Sequence, residues 1–443
     1  QDARGVMVLT YHAMALRLTG TSLAAADRTD HVIDFKQVLK DAIELLEGKS
    51  EAFVDADDAR DRLLQQYEYI FVDEYQDIDE MEYALVSALA GRGRQNDDDS
   101  KLSIMAVGDD DQNIYAFKGA NIEFIRRFQN DYPSEVTYLV ENFRSTQHII
   151  SASNHLIQRA VGRMKVDHPI RINSARLTEA AGGAWQDIDL QSRGRVRLMT
   201  APRCANLQSQ LVFAELLRIK ALDTECAWGD VAVLARTHQA VQPLRALLAN
   251  ASIQYELARQ DSVRGQLQLM RSREGWAARS WLAQRAGQLV SMADFHAWCL
   301  EASRREPGNP YWIDLTTVSE ELGGDLEGLE LPSATVLDAL YEASQDATQH
   351  GDKGAVKLLT AHSAKGLEFR HVIVMDVGDW QPHDDNNRRL LYVAMTRAKQ
   401  SLALFRVNDG HNTLLSDLGT LEGVHSLLPD VQPDYRPDIQ LRY

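Results

Sequence analysis

The stretch YIFVDEYQDIDE, residues 69–80, turns from an apolar run into five carboxylates within eight residues. Carboxylates this dense after a short strand either hold a metal or cap the helix that follows. Adjacent side chains at a strand end diverge, so Asp73 can hold Mg²⁺ while Glu74 orients and deprotonates an attacking water. The capping reading gives the same groups to backbone amides of the next helix. A nucleotide site also needs a phosphate cradle, yet the 443 residues contain no G-x-x-x-x-G-K-[ST]. The Gly-rich stretches GRGRQ and GDKGAVK have the wrong spacing.

Other stretches offer complementary chemistry. In AVGDDDQNIYAFKGA, residues 106–120, the Gln112 amide both donates and accepts, which suits sensing a γ-phosphate. Tyr115 and Phe117, two apart with Lys118 beside them, offer stacking surfaces and a cation to single-stranded bases and phosphate; two core aromatics would look the same. Arg144 in LVENFRS can reach a phosphate with its planar fork or form a surface ion pair. VKLLTAHSAKGLEF (356–369) carries His362 and Glu368 around a Gly turn. Arg397, near the end of the helical NNRRLLYVAMTRAKQSL, either meets a phosphoryl group or complements the helix dipole.

Short apolar runs alternating with helical periodicity must position these groups, the signature of parallel α/β architecture. Strands are expected at 6–9, 69–72, 102–107, 136–140, 196–199, 231–235, 356–359, 371–375 and 402–405. Helices are expected at 13–18, 81–89, 122–128 and 148–160. In residues 20–65, VIDFKQVLKDAIELLEG puts Phe35, Val38, Leu39 and Ala42 on one helical face, and residues 259–352 read as helices and loops without a strand. Residues 259–285 hold six arginines against two acids; they suit either duplex phosphates or pairing with nearby carboxylates.

The motifs TYHAMALRL, VDEYQD, GDDDQNIYAFKGA, LVENFRS, VAVLARTHQAVQPLRALLANASIQYEL, LLTAHSAKGLEF and RRLLYVAMTRAK occur in one order along the chain. This constellation resembles the UvrD/Rep family of superfamily 1 DNA helicases over nearly the whole chain outside 259–352. The resemblance implies two RecA-like parallel-sheet domains with helical insertions. The first domain would occupy 1–137, N-terminally truncated, with an insertion at about 20–65. The second would occupy 138–258 and 353–425, with 259–352 inserted and a tail at 426–443.

It also implies roles. Asp73 would coordinate Mg²⁺, Glu74 would activate water, and Gln112 would sense the γ-phosphate of ATP. Arg144 and Arg397 would stabilise charge on the transferring phosphoryl, Phe143 would stack on adenine, and Glu368 would meet the ribose. Thr10, His12, Tyr115, Phe117, Lys118 and His362 would face DNA. Phe117 stands where the family usually has Trp, Phe143 where it often has Tyr, and Lys118 where it has Arg; Asn386–Asn387 replaces a pair that is often acidic. The P-loop would lie upstream of Gln1. The expected function is an ATP-dependent 3′-to-5′ DNA translocase acting on single strands and their junctions with duplex, in the company of repair or recombination proteins. The competing expectation is a helicase-like binding or scaffold module without ATPase activity, and an RNA helicase of the superfamily ranks third.

Composition bounds these readings. A length of 443 residues suits two or three domains, and 44% apolar content fills more than one core. No apolar run approaches a membrane span and no cleavable signal opens the chain, so a cytoplasmic, bacterial-type, nucleoid-associated protein is expected. The formal charge of −17 excludes coating of nucleic acid by bulk positive charge, not a narrow basic groove. Cys204, Cys226 and Cys299 show no C-x-x-C spacing, which argues against zinc, an iron–sulfur cluster or a disulfide framework.

Overall fold

The computed structural model describes residues 9–20, 34–49, 67–92, 102–115, 120–257, 269, 272–285, 287–320, 322, 330–333, 336–337, 340, 354–381, 384–407 and 414–427. Its contacts cluster into two units, residues 1–107 with 259–350 and residues 108–258 with 351–443. The segment 108–137, grouped from sequence with the first domain, falls by contacts in the second unit.

In the first unit, helix α1 (Tyr11–Thr19) starts where the Thr10 hydroxyl accepts from the Ala13 amide at 3.2 Å, and it stops at Gly20 in the left-handed region. Helix α2 (Phe35–Leu46) is capped by Asp34 and buries Val38, Leu39 and Ala42, the face its periodicity marks. Strand β1 (Tyr69–Val72) and strand β2 (Ser103–Ala106) pair in parallel, with helix α3 (Glu80–Leu89) between them in sequence. Leu85 and Leu89 of α3 join Ala15, Leu39 and Leu45 in one core.

The second unit begins with helix α4 (Glu123–Asp131), strand β3 (Glu141–Asn142), helix α5 (Gln147–Ile157) and strand β4 (Arg171–Ile172). The strand expected at 136–140 is absent. That run is extended chain with Leu139 79% exposed, and pairing starts only where β3 meets β4. Of that run, the Val140 carbonyl accepts from the Arg171 amide at 2.9 Å, at the edge of the β3–β4 pair. Strand β5 (Val196–Ala201), helix α6 (Ala205–Leu222), strand β6 (Val231–Ala235), helix α7 (Gln242–Asn250) and strand β7 (Tyr255–Leu257) follow.

The inserted segment of the first unit builds its own core from helices α8 (Arg273–Ala283), α9 (Met292–Arg305) and α10 (Pro310–Ser319), with Phe295, Cys299 and Leu315 fully buried. It also holds strands β8 (Leu289–Ser291) and β9 (Glu330–Pro332), antiparallel to each other, which corrects the strand-free reading of 259–352. At three residues each, they fall below the length at which alternation becomes visible.

The second unit resumes with strand β10 (Val356–Thr360), strand β11 (Phe369–Val374), helix α11 (Asp385–Met395), strand β12 (Ala398–Val407) and strand β13 (Val424–Leu427). Seven strands form one parallel sheet in the order β13-β5-β12-β11-β6-β10-β7. A parallel sheet needs cover on both faces, and side-chain alternation sorts the strands accordingly. Leu234, Val372, Val374, Leu402 and Leu404 pack with Ile149 and Leu156 of α5 and with Leu390 and Val393 of α11. Val231, Val233, Ile373, Ala403 and Phe405 face the other way, onto Val212 and Leu216 of α6 and Leu244 of α7. The α/β parallel class read from the sequence is therefore the class observed. Among the described residues no helix is long and apolar enough to cross a membrane.

Candidate functional site

In the first unit, Asp73 and Glu74 leave β1 at its carboxyl end and both are exposed. Helix capping does not use them. Asp79 accepts from the Glu82 amide at 2.9 Å and Glu82 accepts from the Asp79 amide at 3.0 Å, a complete capping box at the start of α3. Asp73 instead accepts from the Glu74 amide at 2.8 Å. Glu74 has φ of 50°, a left-handed conformation uncommon for a residue with a β-carbon, and its carboxylate accepts from the Gln76 side chain. The turn is held because the Tyr75 amide donates to the Val107 carbonyl at 2.9 Å. Two accessible carboxylates with oxygen donors fit a hard cation that takes its remaining ligands from a nucleotide.

The carboxylates also shape their surroundings. Burial, reinforced by Glu82, Asp77, Asp73 and Asp79, pushes the Tyr11 hydroxyl well above its ordinary range, and burial lifts Glu82 to about 7. On α1, Thr10 spends its hydroxyl on the cap. His12 packs edge-on against Phe35 at 5.3 Å, and burial lowers its pKa.

In the second unit, Gln112, Arg144 and Arg397 line a cavity of about 110 Å³, whose walls include Asp109, Asn142, Tyr392 and Thr396, and Glu368 joins them through Arg144. That volume is well below the roughly 300 Å³ of small-ligand pockets, so it holds water-sized groups rather than a nucleotide. Gln112 meets Arg397 within this unit. Its amide uses both functions, donating to Asp109 Oδ2 at 2.8 Å and accepting from Arg397 Nη2 at 3.2 Å. Arg397, only 4% exposed, follows α11 directly and folds back on it, donating to the Val393 carbonyl at 3.0 Å and to the Leu367 carbonyl at 3.3 Å. It therefore satisfies a helix C-terminus as well as meeting Gln112.

Arg144 Nε donates to Glu368 Oε2 at 2.6 Å, and the other Glu368 oxygen pairs with Lys399. The Lys399 hydrogen bond, with Arg144 beside it, holds the Glu368 carboxyl below its usual range. The ion pair thus occupies the Nε edge of the Arg144 guanidinium. Its backbone is fixed by Asn142 Oδ1, which accepts from both the Arg144 and Ser145 amides, while Ser145 Oγ donates to the Ala398 carbonyl at 2.7 Å. Phe143 is 71% exposed, presenting an open ring face.

Tyr115 lies 6.2 Å from the His362 ring, with Lys365 Nζ 5.4 Å above its face. Tyr115 is half-buried, so part of its ring remains accessible. Phe117 and Lys118, read as DNA-facing, lie outside the described residues, as do Arg259, Arg264 and Arg271. Of the described arginines in that stretch, Arg273 pairs with Glu274 and Glu306, and Arg285 lies 3.5 Å over Trp281. Arg273 thus has the carboxylate partners that the second alternative expects, while Arg285 rests on a ring that neither alternative named.

Sequence reasoning missed the clamp beneath Gln112. Asp111, fully buried, takes a bidentate contact from Arg163 at 2.7 Å on both oxygens, Asp109 pairs with Lys165, and Asp110 accepts from the Met164 amide at 2.7 Å. The run of three aspartates beside Gln112 was the available signal; Arg163 and Lys165 carried none, because nothing local marks their long-range partners.

Two family models match the chain: the UvrD/REP helicase N-terminal domain over residues 5–133, and the UvrD-like helicase C-terminal domain over residues 355–405. DNA helicase II of Escherichia coli K12 is 30% identical over 465 aligned positions, covering 86% of this chain and 60% of that protein. The putative ATP-dependent DNA helicase YjcD of Bacillus subtilis is 26% identical, covering 80% and 53%. ATP-dependent DNA helicase UvrD1 of Mycobacterium tuberculosis is 36% identical over 195 residues, covering 44% and 22%. The chain thus spans at most about three-fifths of the length of these curated relatives.

Proposed function

Because the chain belongs to the UvrD-like helicase family, we propose that it is the larger part of an ATP-driven motor moving 3′ to 5′ along single-stranded DNA. The observation that carries this reading is the Gln112 amide held between Asp109 and Arg397, two partners on opposite sides of one side chain. Phosphoryl transfer needs positioned charge more than covalent help, and an arginine tied to a phosphate-sensing amide supplies both. Arg397 would neutralise charge on the transferring group, with Arg144 joining once it exchanges Glu368 for phosphate.

Asp73 would hold Mg²⁺, which supplies charge neutralisation on the nucleotide oxygens, and Glu74 would accept the proton of the attacking water. Tyr115, beside His362 and Lys365, offers a stacking face to a base, and the same loop carries Gln112 three residues earlier. A change at the amide therefore has a short covalent path to the DNA-facing ring. The names of the relatives, ATP-dependent DNA helicases, support ATP and DNA as the substrates. The rival is a DNA-binding module of the same family without hydrolysis.

The test pairs phosphate release with DNA binding. The 443 residues lack the P-loop spacing, so alone they are expected to bind single-stranded DNA yet release phosphate from ATP at a negligible rate. With a family P-loop segment supplied in the same polypeptide, DNA-stimulated release is expected, and Glu74→Gln abolishes it while DNA binding persists. Hydrolysis by the 443 residues alone would overturn the assignment of where phosphates bind. Failure to bind single strands at low salt would overturn the translocase reading itself.

A further inference from the structure

We propose that Asp223, Cys226 and His371 form a binding site for a divalent transition metal of tetrahedral preference, zinc before others. The three residues are buried, and one ligand atom from each lies within 4.8 Å of the other two. Asp223 and Cys226 sit in the turn after α6, and His371 sits near the start of β11, 145 residues beyond Cys226. No C-x-x-C spacing announces them, because the donors meet only in the folded sheet.

The surroundings match what a ligand set needs. His371 is fully buried, its Nδ1 meets Ser401 Oγ on the neighbouring strand at 2.7 Å, and its Nε2 has no hydrogen-bond partner among the described residues. In the tautomer whose Nδ1–H donates to Ser401 Oγ, the lone pair of Nε2 faces Asp223 Oδ2 at 3.9 Å. A metal-binding imidazole is usually oriented in this way, through its other nitrogen. Asp223 Oδ1 accepts from the amides of Glu225 and Cys226, and its Oδ2 pairs with Arg370 at 2.8 Å, so the carboxylate is oriented as well. The Cys226 thiol donates to the Ala227 carbonyl at 3.3 Å; on metal binding it would release that proton to solvent and bind as thiolate. Zinc bonds of about 2.0–2.3 Å put neighbouring ligand atoms about 3.3–3.7 Å apart, so the observed spacing closes with a shift of about 1 Å or less.

The experiment uses the intact chain, dialysed against chelator and titrated with Co²⁺ alone. Expected is one equivalent bound, with a thiolate-to-cobalt absorption band in the near ultraviolet that Zn²⁺ displaces. Cys226→Ala should lose the band while keeping the circular dichroism of the parent, and Ser401→Ala should weaken binding about 10–100-fold while keeping the band. No band at excess Co²⁺ in the parent would overturn the site. A band persisting in Cys226→Ala would also overturn it, by assigning the thiolate to Cys204 or Cys299.

Discussion

Arg397 shows what a residue's type tells and what it leaves open. Its place after an amphipathic helix supports a dipole role, the family motif implies a phosphoryl role, and the folded chain gives it carbonyl contacts that serve the first and a contact to Gln112 on which the proposal for the second rests. Three of its contacts go to the Val393 carbonyl, the Leu367 carbonyl and Gln112, all inside the unit. Arg397→Ala takes the donor from the Leu367 carbonyl and the Gln112 amide oxygen, while the Val393 carbonyl keeps the Thr396 hydroxyl, so a loss of roughly 2–4 kcal/mol of stability is expected by urea unfolding. Arg397→Lys should recover part of this, because an ammonium cannot reproduce the fork. A double-mutant cycle with Gln112→Ala should give a coupling of about 1.5–3 kcal/mol, the range for hydrogen bonds to charged groups. A coupling near zero would mean that the contact is incidental. The sequence named both residues but could not pair them, because they lie 285 positions apart.

At the scale of elements, the acidic run after β1 divides its labour, and a titration can read the division. Asp79 and Glu82 build the cap of α3, while Asp73 and Glu74 stand outside it. Burial lifts Glu82 to about 7, above the ordinary carboxylate value near 4.5 that it regains on unfolding. The folded state then holds the proton more tightly, so this contribution to stability is complete below about pH 4.5 and is lost as pH rises through about 7. Glu82→Gln keeps an acceptor for the Asp79 amide and removes the titration. The stability difference, variant minus parent, should therefore rise between pH 4.5 and 7 and level off above. A flat difference would place the lifted proton elsewhere. Strand and helix existence was legible wherever periodicity ran long, as in α2, β6 and β11. Elements of two or three residues, such as β3, β4, β8 and β9, were not, since they exist only through partners distant in sequence.

For the whole molecule, the proposed function raises the question of how a chain of formal charge −17 would hold a polyanion. Its total charge repels DNA at long range, so binding must rest on a few placed cations and on stacking. The cluster of Tyr115 with His362 and Lys365 is the place proposed for this, visible in the sequence as motifs but not as a cluster, since Tyr115 and His362 lie 247 positions apart. Stacking on an aromatic ring is worth about 1–3 kcal/mol per base and does not depend on counterion release, whereas each neutralised phosphate of a single strand adds about 0.7 to the salt slope. The two contributions therefore separate in one experiment. Tyr115→Ala should weaken single-strand affinity about 5–150-fold at every salt concentration with the slope unchanged. Lys365→Gln should flatten the plot of log affinity against log salt by about 0.7. Lys365 also donates to the Gln112 carbonyl at 3.4 Å, so circular dichroism and melting of that variant must match the parent for the slope to count. If Tyr115→Ala leaves affinity intact while Lys365→Gln flattens the slope, the ring belongs to the core and DNA is held by charge alone. If both variants bind as the parent does, the single strand runs over another surface.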